Sequence, residues 1–299
     1  MKNHIVKRNG EVLPDDQTGS MRFLYSHAFG RFLLRPLIGP TVSKIAGGFL
    51  NTRFSTFLIP SFIKNNKIDM NEYKPTKYSC YNEFFTREIK EACRPIDQIA
   101  DHLISPCDSK VTYYKIDEHT CFKIKDSLYS VEDLLQNKEL AQQYQNGVAL
   151  IFRLSVDDYH RYCFIDEGSY LFDYRIKGKL HTVNPIASYH YKIYKTNSRN
   201  VNVLETVHFD QVIAMEVGAM MVGKIKNQPV EAFKRGMIKG WFEFGGSTVV
   251  LLFKENTVEI DQDIIDFSTQ DIEVKVKMGE KIGVAIRKEE TYGKDHIHH

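Results

Sequence analysis

Gly245-Gly246-Ser247-Thr248 is a small polar tetrad between two runs of strand-forming residues, Trp241 to Phe244 and Val249 to Phe253. Adjacent glycines reach backbone angles that other residues avoid, so they can hold the Gly246-Ser247 peptide in an unusual geometry, with the Ser247 hydroxyl beside the preceding carbonyl. That arrangement suits self-cleavage: a hydroxyl attacks the peptide bond on its own N-terminal side. The plainer reading is a glycine bulge or hairpin turn with a solvent-facing serine. The other chemistry-bearing side chains stand upstream. Asp108 follows a proline-terminated strand in Ile104-Ser-Pro-Cys-Asp-Ser-Lys-Val111, and His160 and Cys163 share the stretch Arg153-Leu-Ser-Val-Asp-Asp-Tyr-His-Arg-Tyr-Cys-Phe-Ile165. An imidazole near neutrality is suited to taking a serine proton. A thiol, with its ordinary value about 8.5, is a poorer base unless its site lowers that value.

The elements that must position these groups follow from periodicity. Strand signals dominate from Leu103 onward, at Leu103 to Pro106, Lys110 to Ile116, Cys121 to Ile124 and Val148 to Leu154, with a helix expected over Val131 to Leu140. Val212 to Ile225 reads as a strand pair with Gly218 and Gly223 at bulges or close approaches, and Glu273 to Ile286 as a final hairpin turning at Gly279. Lys234 to Trp241, with three basic residues, suits contact with a phospholipid headgroup but reads rather as a solvated loop. The chain is therefore expected to be α+β, an N-terminal helical segment (1–100) followed by a mostly antiparallel β-sheet domain (101–299) that carries the cleavage site. Within Met21 to Phe62, apolar residues at helical spacing lie among Arg22, Arg31, Arg35, Lys44 and Arg53, and Pro36, Pro40 and Pro60 divide the segment into short helices. Basic residues flanking apolar faces suit a protein lying on an anionic membrane surface, and equally a helical layer packed on its own domain.

Composition narrows the field. The 299 residues, 42% of them hydrophobic, are enough for one large domain or two small ones. Forty Lys and Arg against 38 Asp and Glu give a net charge of +2, which makes no case for nucleic acid. Five cysteines at 80, 93, 107, 121 and 163, none in a C-x-x-C pair, suggest neither a disulfide framework nor a zinc site, and no metal is expected. The charged N-terminus lacks the apolar core of a signal peptide, and no apolar run is long enough to span a bilayer. The terminal His296-Ile-His-His299 reads as a loose end.

Six stretches, in order, resemble the phosphatidylserine decarboxylases: Tyr81-Asn-Glu-Phe-Phe-Thr-Arg87 with Cys93-Arg-Pro-Ile-Asp97, the Asp108 turn, the His160 stretch, Lys179-Leu-His-Thr-Val-Asn-Pro-Ile-Ala187, the Val217-Gly-Ala segment, and Phe244-Gly-Gly-Ser-Thr248. The resemblance runs roughly from Met21 to Ile286. It implies cleavage between Gly246 and Ser247 into a large piece (1–246) and a small one (247–299), with Ser247 converted to a pyruvoyl cofactor. It also implies a relay that includes Asp108, a role for His160 in decarboxylation, and phosphatidylserine as substrate, handled by a peripheral protein on the cytoplasmic face of a membrane. A homo-oligomer is compatible with it.

Two positions depart from the pattern. Ser109 stands where glycine is usual, and Cys163 stands where the relay histidine is expected. The family's use of positions 160 and 163 together suggests a turn there. His160 takes over as base, or Cys163 acts as thiolate, or the chain processes poorly; His181 is a reserve base. The last alternative describes a diverged, unprocessed phospholipid-binding homologue. A serine hydrolase built on Ser247 and His160 is a weaker reading, since Ser247 lacks the G-x-S-x-G context.

Overall fold

The computed structural model describes residues 5–14, 40–124, 127–181, 193–219 and 224–287. Residues 220–223 of the expected strand pair at Val212 to Ile225, residues 182–187 of the Lys179 stretch, the histidine tail and most of the segment before Pro40 lie outside the described residues.

The helices are α1 (Pro40–Leu50), α2 (Leu58–Asn66), α3 (Tyr81–Phe85), α4 (Val131–Leu135), α5 (Lys138–Gln142), α6 (Ile193–Thr196) and α7 (Gln262–Ser268). The strands begin with β1 (Ile5–Lys7), β2 (Val12–Leu13), β3 (His102–Ile104), β4 (Ser109–Lys115), β5 (Cys121–Ile124), β6 (Ser127–Ser130), β7 (Val148–Leu154), β8 (Arg161–Cys163) and β9 (Gly168–Ile176). They continue with β10 (Arg199–Thr206), β11 (Asp210–Gly218), β12 (Ile225–Asn227), β13 (Ala232–Phe233), β14 (Ile238–Phe242), β15 (Ser247–Phe253), β16 (Val258–Ile260), β17 (Glu273–Val276) and β18 (Lys281–Ala285). Ten form one sheet in the order β13-β9-β10-β11-β15-β7-β4-β17-β1-β2, antiparallel except where β1 meets β17. Two three-stranded sheets, β12-β14-β8 and β16-β18-β3, complete the mixed, mostly antiparallel architecture.

The centre of the large sheet is where the apolar runs put it. Every residue of β15 and of β7 is buried, the signature of strands covered on both faces, and each large side chain there contributes about 1.5–3 kcal/mol of burial. Gly147 admits the tight approach that starts β7, since a Cβ there would stand 2.0 Å from the Phe253 carbonyl oxygen. The helical layer is small. Leu50, Tyr81, Phe84 and Phe85 form a buried cluster with Leu58, Phe62 and Phe244 packed against it, so the layer touches the segment that leads into Ser247.

Several local expectations are corrected. β14 and β15 belong to different sheets, so the Gly-Gly-Ser-Thr tetrad is no hairpin turn: Ser247 and Thr248 open a central strand. The same holds for β11 with β12, and for β17 with β18, because each chain leaves one sheet for the next, and Gly279, at φ +84°, turns the chain between sheets. The helix expected over Val131 to Leu140 breaks into α4 and α5, where Gln136 turns left-handed and the Asn137 side chain caps α5 through the Leu140 amide. Pro60 lies inside the first turn of α2, where its missing N–H is harmless. His160 and Cys163 do not share a turn: a turn closed by the Asp158 amide on the Ser155 carbonyl precedes His160, and Cys163 ends strand β8.

Candidate active site

Ser247 begins β15 between two strands, opposite Gly218 of β11 and Leu154 of β7, and is fully buried. The run before it is tied down residue by residue. Phe242 N–H donates to the His160 carbonyl (3.1 Å), Glu243 N–H to the Lys224 carbonyl (2.9 Å), and Phe244 N–H to the Asn82 side-chain oxygen (3.3 Å). Gly245 follows at φ +135°, a conformation that L side chains rarely adopt. A fixed strand on one side and a bonded run on the other thus hold the Gly246-Ser247 peptide in place.

His160 is the group that reaches the serine. Its Nδ1 lies 3.4 Å from Ser247 Oγ, and the Phe85 ring of α3 covers the imidazole at a centroid distance of 4.2 Å. The contact is long for a hydrogen bond, as is common before a reacting geometry closes. Burial lowers the His160 imidazole to about 3; the Arg87 charge acts in the same direction, and Asp158 opposes them. The ring is therefore neutral at ordinary pH. With the proton on Nε2, Nδ1 is free to accept from Ser247.

The other sequence candidates are placed differently. Both oxygens of Asp108 are engaged by Arg94 (Nε 2.8 Å to one, Nη2 2.6 Å to the other), and the Met278 amide adds a bond of 2.9 Å. The carboxylate is thus held in a buried fork that Glu72 also joins, at 3.1 Å from Arg94. The Cys163 thiol is buried, 4.0 Å from the Ser105 carbonyl oxygen, and burial pushes it up to about 12. It is a thiol at neutral pH, so of the two sequence bases only His160 is in base form beside Ser247. His181 is buried and lowered to about 4, chiefly by burial. Its backbone is latched by Asn197, which accepts from the His181 N–H and donates to the carbonyls of His181 and Gly218, the residue facing Ser247.

Sequence reasoning missed the layer of charge beside the site. Asp158 accepts from Lys110 Nζ (2.7 Å), from Lys275 Nζ and from the Ser155 amide (2.7 Å), and Arg153 forms a two-pronged pair with Glu273 (2.7 and 2.6 Å). Thr248, Arg153, Lys110 and Lys275 are successive partners across β15, β7, β4 and β17, so they share one face of the sheet. The acidic pair Asp157-Asp158 before His160 was the available signal. Lys239, expected in a solvated loop, is buried against Glu216 (2.6 Å), whose other oxygen accepts from Asn202 and Asn227. Arg235, from the same expected loop, reaches buried Asp166 at 3.2 Å. Only Lys234 of that trio is without such a pair in the described structure.

Beside the Phe244 segment, a cavity of about 390 Å³ is lined by Phe49, Leu50, Leu58, Phe62, Tyr81 and Phe244, among others. Ile45, Phe54 and Phe57 on the same helical layer are exposed, Phe54 by 82%. No helix among the described residues is long and apolar enough to cross a membrane.

A buried serine thus opens a central strand behind a constrained glycine, with a neutral histidine against its hydroxyl. Residues 81–284 match the family model described as phosphatidylserine decarboxylase. The chain is 50% identical over 268 residues to phosphatidylserine decarboxylase proenzyme 2 of Clostridium acetobutylicum, covering 89% of this chain and 92% of that one. It is 39% identical over 271 residues to the phosphatidylserine decarboxylase proenzyme of Clostridium botulinum strain Hall (88% and 92% covered), and 38% identical over 272 residues to that of Ruminiclostridium cellulolyticum (89% and 91%). The chain belongs to the phosphatidylserine decarboxylase family, a family of carboxy-lyases.

Proposed function

We propose that the chain cleaves itself between Gly246 and Ser247 and then decarboxylates phosphatidylserine to phosphatidylethanolamine and carbon dioxide. The observation that carries this is the 3.4 Å contact between Ser247 Oγ and a neutral His160 in a buried site, within a chain of this family. His160 takes the hydroxyl proton as Ser247 Oγ bonds to the Gly246 carbonyl carbon and the Gly246–Ser247 C–N bond breaks. The product is an ester, and the proton passes to the freed Ser247 amine. Elimination follows: a base, His160 or water, takes the Ser247 α-proton, the Oγ–Cβ bond breaks, residues 1–246 leave as the Gly246 carboxylate, and residue 247 keeps a Cα–Cβ double bond that shifts to a C=N bond. Water then displaces ammonia from residue 247. One turnover per molecule suffices, so a slow step is tolerable.

A pyruvoyl group fits these residues because its precursor is the first residue of a fixed strand, out of reach of bulk water and next to a histidine. Once formed, its conjugated carbonyls would take the substrate amine and accept the electron pair released as carbon dioxide departs. The chain's own residues supply the rest. His160, once it has taken a proton from the substrate's ammonium group, would return it to the product carbon, the Phe85 and Phe244 rings would help exclude water, and β15 fixes the reacting end. The small piece (247–299) stays with the large one (1–246) because β15 is bonded on both edges to strands of the large piece, and because Glu273 and Lys275 pair with Arg153 and Asp158 across the cut.

Within residues 1–100, β1 and β2 join the large sheet and α3 covers His160, so α1, α2 and the turn between them are read as the membrane-facing part and 101–299 as the body of the catalytic domain. Exposed Ile45, Phe54 and Phe57 next to an apolar cavity that reaches Phe244 support a peripheral seat on the bilayer that supplies the substrate.

The test is reductive trapping. When the protein is incubated with phosphatidylserine vesicles and cyanoborohydride, the substrate amine is expected to become covalently fixed to the 247–299 piece, with loss of activity. Label on an uncleaved chain, or on none, would contradict the proposal.

A further inference from the structure

Arg87 Nε, Tyr78 Oη and His160 Nε2 are among the buried side-chain polar atoms that find no hydrogen-bond partner among the described residues. They surround one short piece of chain. The Tyr78 ring meets the Phe84 ring edge-on at 5.4 Å, the Arg87 guanidinium lies 4.8 Å from the Phe84 centroid and 4.1 Å from that of Tyr73, and Phe85 covers His160. Arg87 is also felt electrostatically at both Tyr78 and His160.

Other buried cations are satisfied in one of two ways. Arg94, Arg153 and Lys239 each hold a carboxylate at 2.6 Å, and Arg199, which has no carboxylate, spends Nε, Nη1 and Nη2 on four backbone carbonyls at 2.7–2.9 Å. Arg87 is 2% exposed, yet it donates only to neutral oxygens, the Tyr73 hydroxyl (3.1 Å) and the Phe84 carbonyl (3.4 Å), and no carboxylate among the described residues pairs with it. A guanidinium kept out of water without a counter-charge is costly, and so is an orphaned donor beside it. The arrangement is accounted for if an anion completes it. The Tyr73 and Phe84 rings take up the guanidinium's aromatic contacts, and Nε on its edge is left for that anion.

We infer that Arg87, with the Tyr78 hydroxyl, anchors an oxyanion of the substrate headgroup next to His160. This rests on the decarboxylase reading, whose substrate carries two such groups, the phosphodiester and the carboxylate. The anchor sets the headgroup's position relative to Ser247 and makes the site selective for a charged headgroup over a neutral amine.

The experiment compares wild type, Arg87→Gln and Tyr78→Phe on phosphatidylserine in nonionic detergent micelles, with phosphatidylethanolamine as inhibitor and the cleaved fraction recorded for each. Arg87→Gln is expected to raise KM about ten- to a hundredfold, the loss of a charge-assisted contact, with kcat changed only about threefold and cleavage complete. If inhibition by phosphatidylethanolamine weakens in parallel, the anchored group is the phosphodiester; if it is undiminished, the anchored group is the carboxylate. Unchanged KM, or a fall in kcat alone, overturns the inference, since a merely structural arginine would not act on KM selectively. Should Arg87→Gln fail to mature, Tyr78→Phe, which removes one oxygen and no volume, decides: a KM raised several-fold supports the anchor, and an unchanged KM refutes it. Wild type that releases no carbon dioxide would defeat the decarboxylase reading itself, a separate result.

Discussion

Replacing His160 by asparagine is expected to slow cleavage between Gly246 and Ser247 by at least about a thousandfold, the scale on which serine sites lose rate without their base. Cys163→Ser is expected to leave it within about threefold of wild type. The contrast follows from placement: His160 Nδ1 is 3.4 Å from Ser247 Oγ and its ring is neutral, while the Cys163 thiol is buried, pushed up to about 12 and turned toward the Ser105 carbonyl. The appearance of the smaller piece after synthesis, followed by gel, measures both. The pH dependence separates the two bases further. An imidazole lowered to about 3 by burial is already in base form, so the cleavage rate should be flat from about pH 5 to 8. A thiolate base would instead give a rate that climbs steeply through that range and beyond. The same burial has a cost in stability. The unfolded histidine binds a proton below its ordinary 6.5 and the folded one does not, so this contribution is present above 6.5 and falls away as pH drops toward 3.

The second large effect lies beside the site, at Asp158. Asp158→Ala leaves Lys110, itself buried, without an acidic partner and strips Lys275 of the same carboxylate, at an expected cost of about 3–5 kcal/mol in denaturant unfolding. Its two lysines hold the Asp158 carboxyl below the usual carboxylate range, so the stabilisation is present above about pH 4 and is lost as pH falls below it. The change also loosens the Ser155–Asp158 turn that delivers His160, so maturation should slow along with the loss of stability. Adding Lys110→Met should recover part of the stability, because it removes the stranded charge. A cost below about 1 kcal/mol would mean that the buried pair is not a working part of the fold.

Ser247, Gly246 and His160 could be read from the sequence because their chemistry is local: a glycine pair ahead of an apolar strand, and a histidine in a recognisable stretch. Phe84 and Phe85 lie in a stretch that the family resemblance includes, though nothing in it said that Phe85 would lie on the His160 ring. The charged layer was hidden because it depends on register. Lys110, Arg153, Thr248 and Lys275 are up to 165 residues apart and meet only through the pairing of β4, β7, β15 and β17. Lys239 read as a loop residue for the same reason, since Glu216 reaches it from another sheet. The hairpin readings at Gly245 and Gly279 failed because glycine marks a change of direction without stating which sheet receives the chain. For Asp108 the motif gave the residue but not its partner. Arg94, fourteen positions earlier, holds both oxygens, and nothing in the Cys93-Arg-Pro-Ile-Asp97 stretch says so.

The central claim, that this chain makes its own cofactor at Ser247, is tested most directly by intact mass under denaturing conditions for wild type and Ser247→Ala. Wild type is predicted to give two pieces divided between Gly246 and Ser247, the smaller bearing a pyruvoyl in place of its N-terminal serine, while Ser247→Ala remains one chain. A single wild-type species of 34.7 kDa would contradict it.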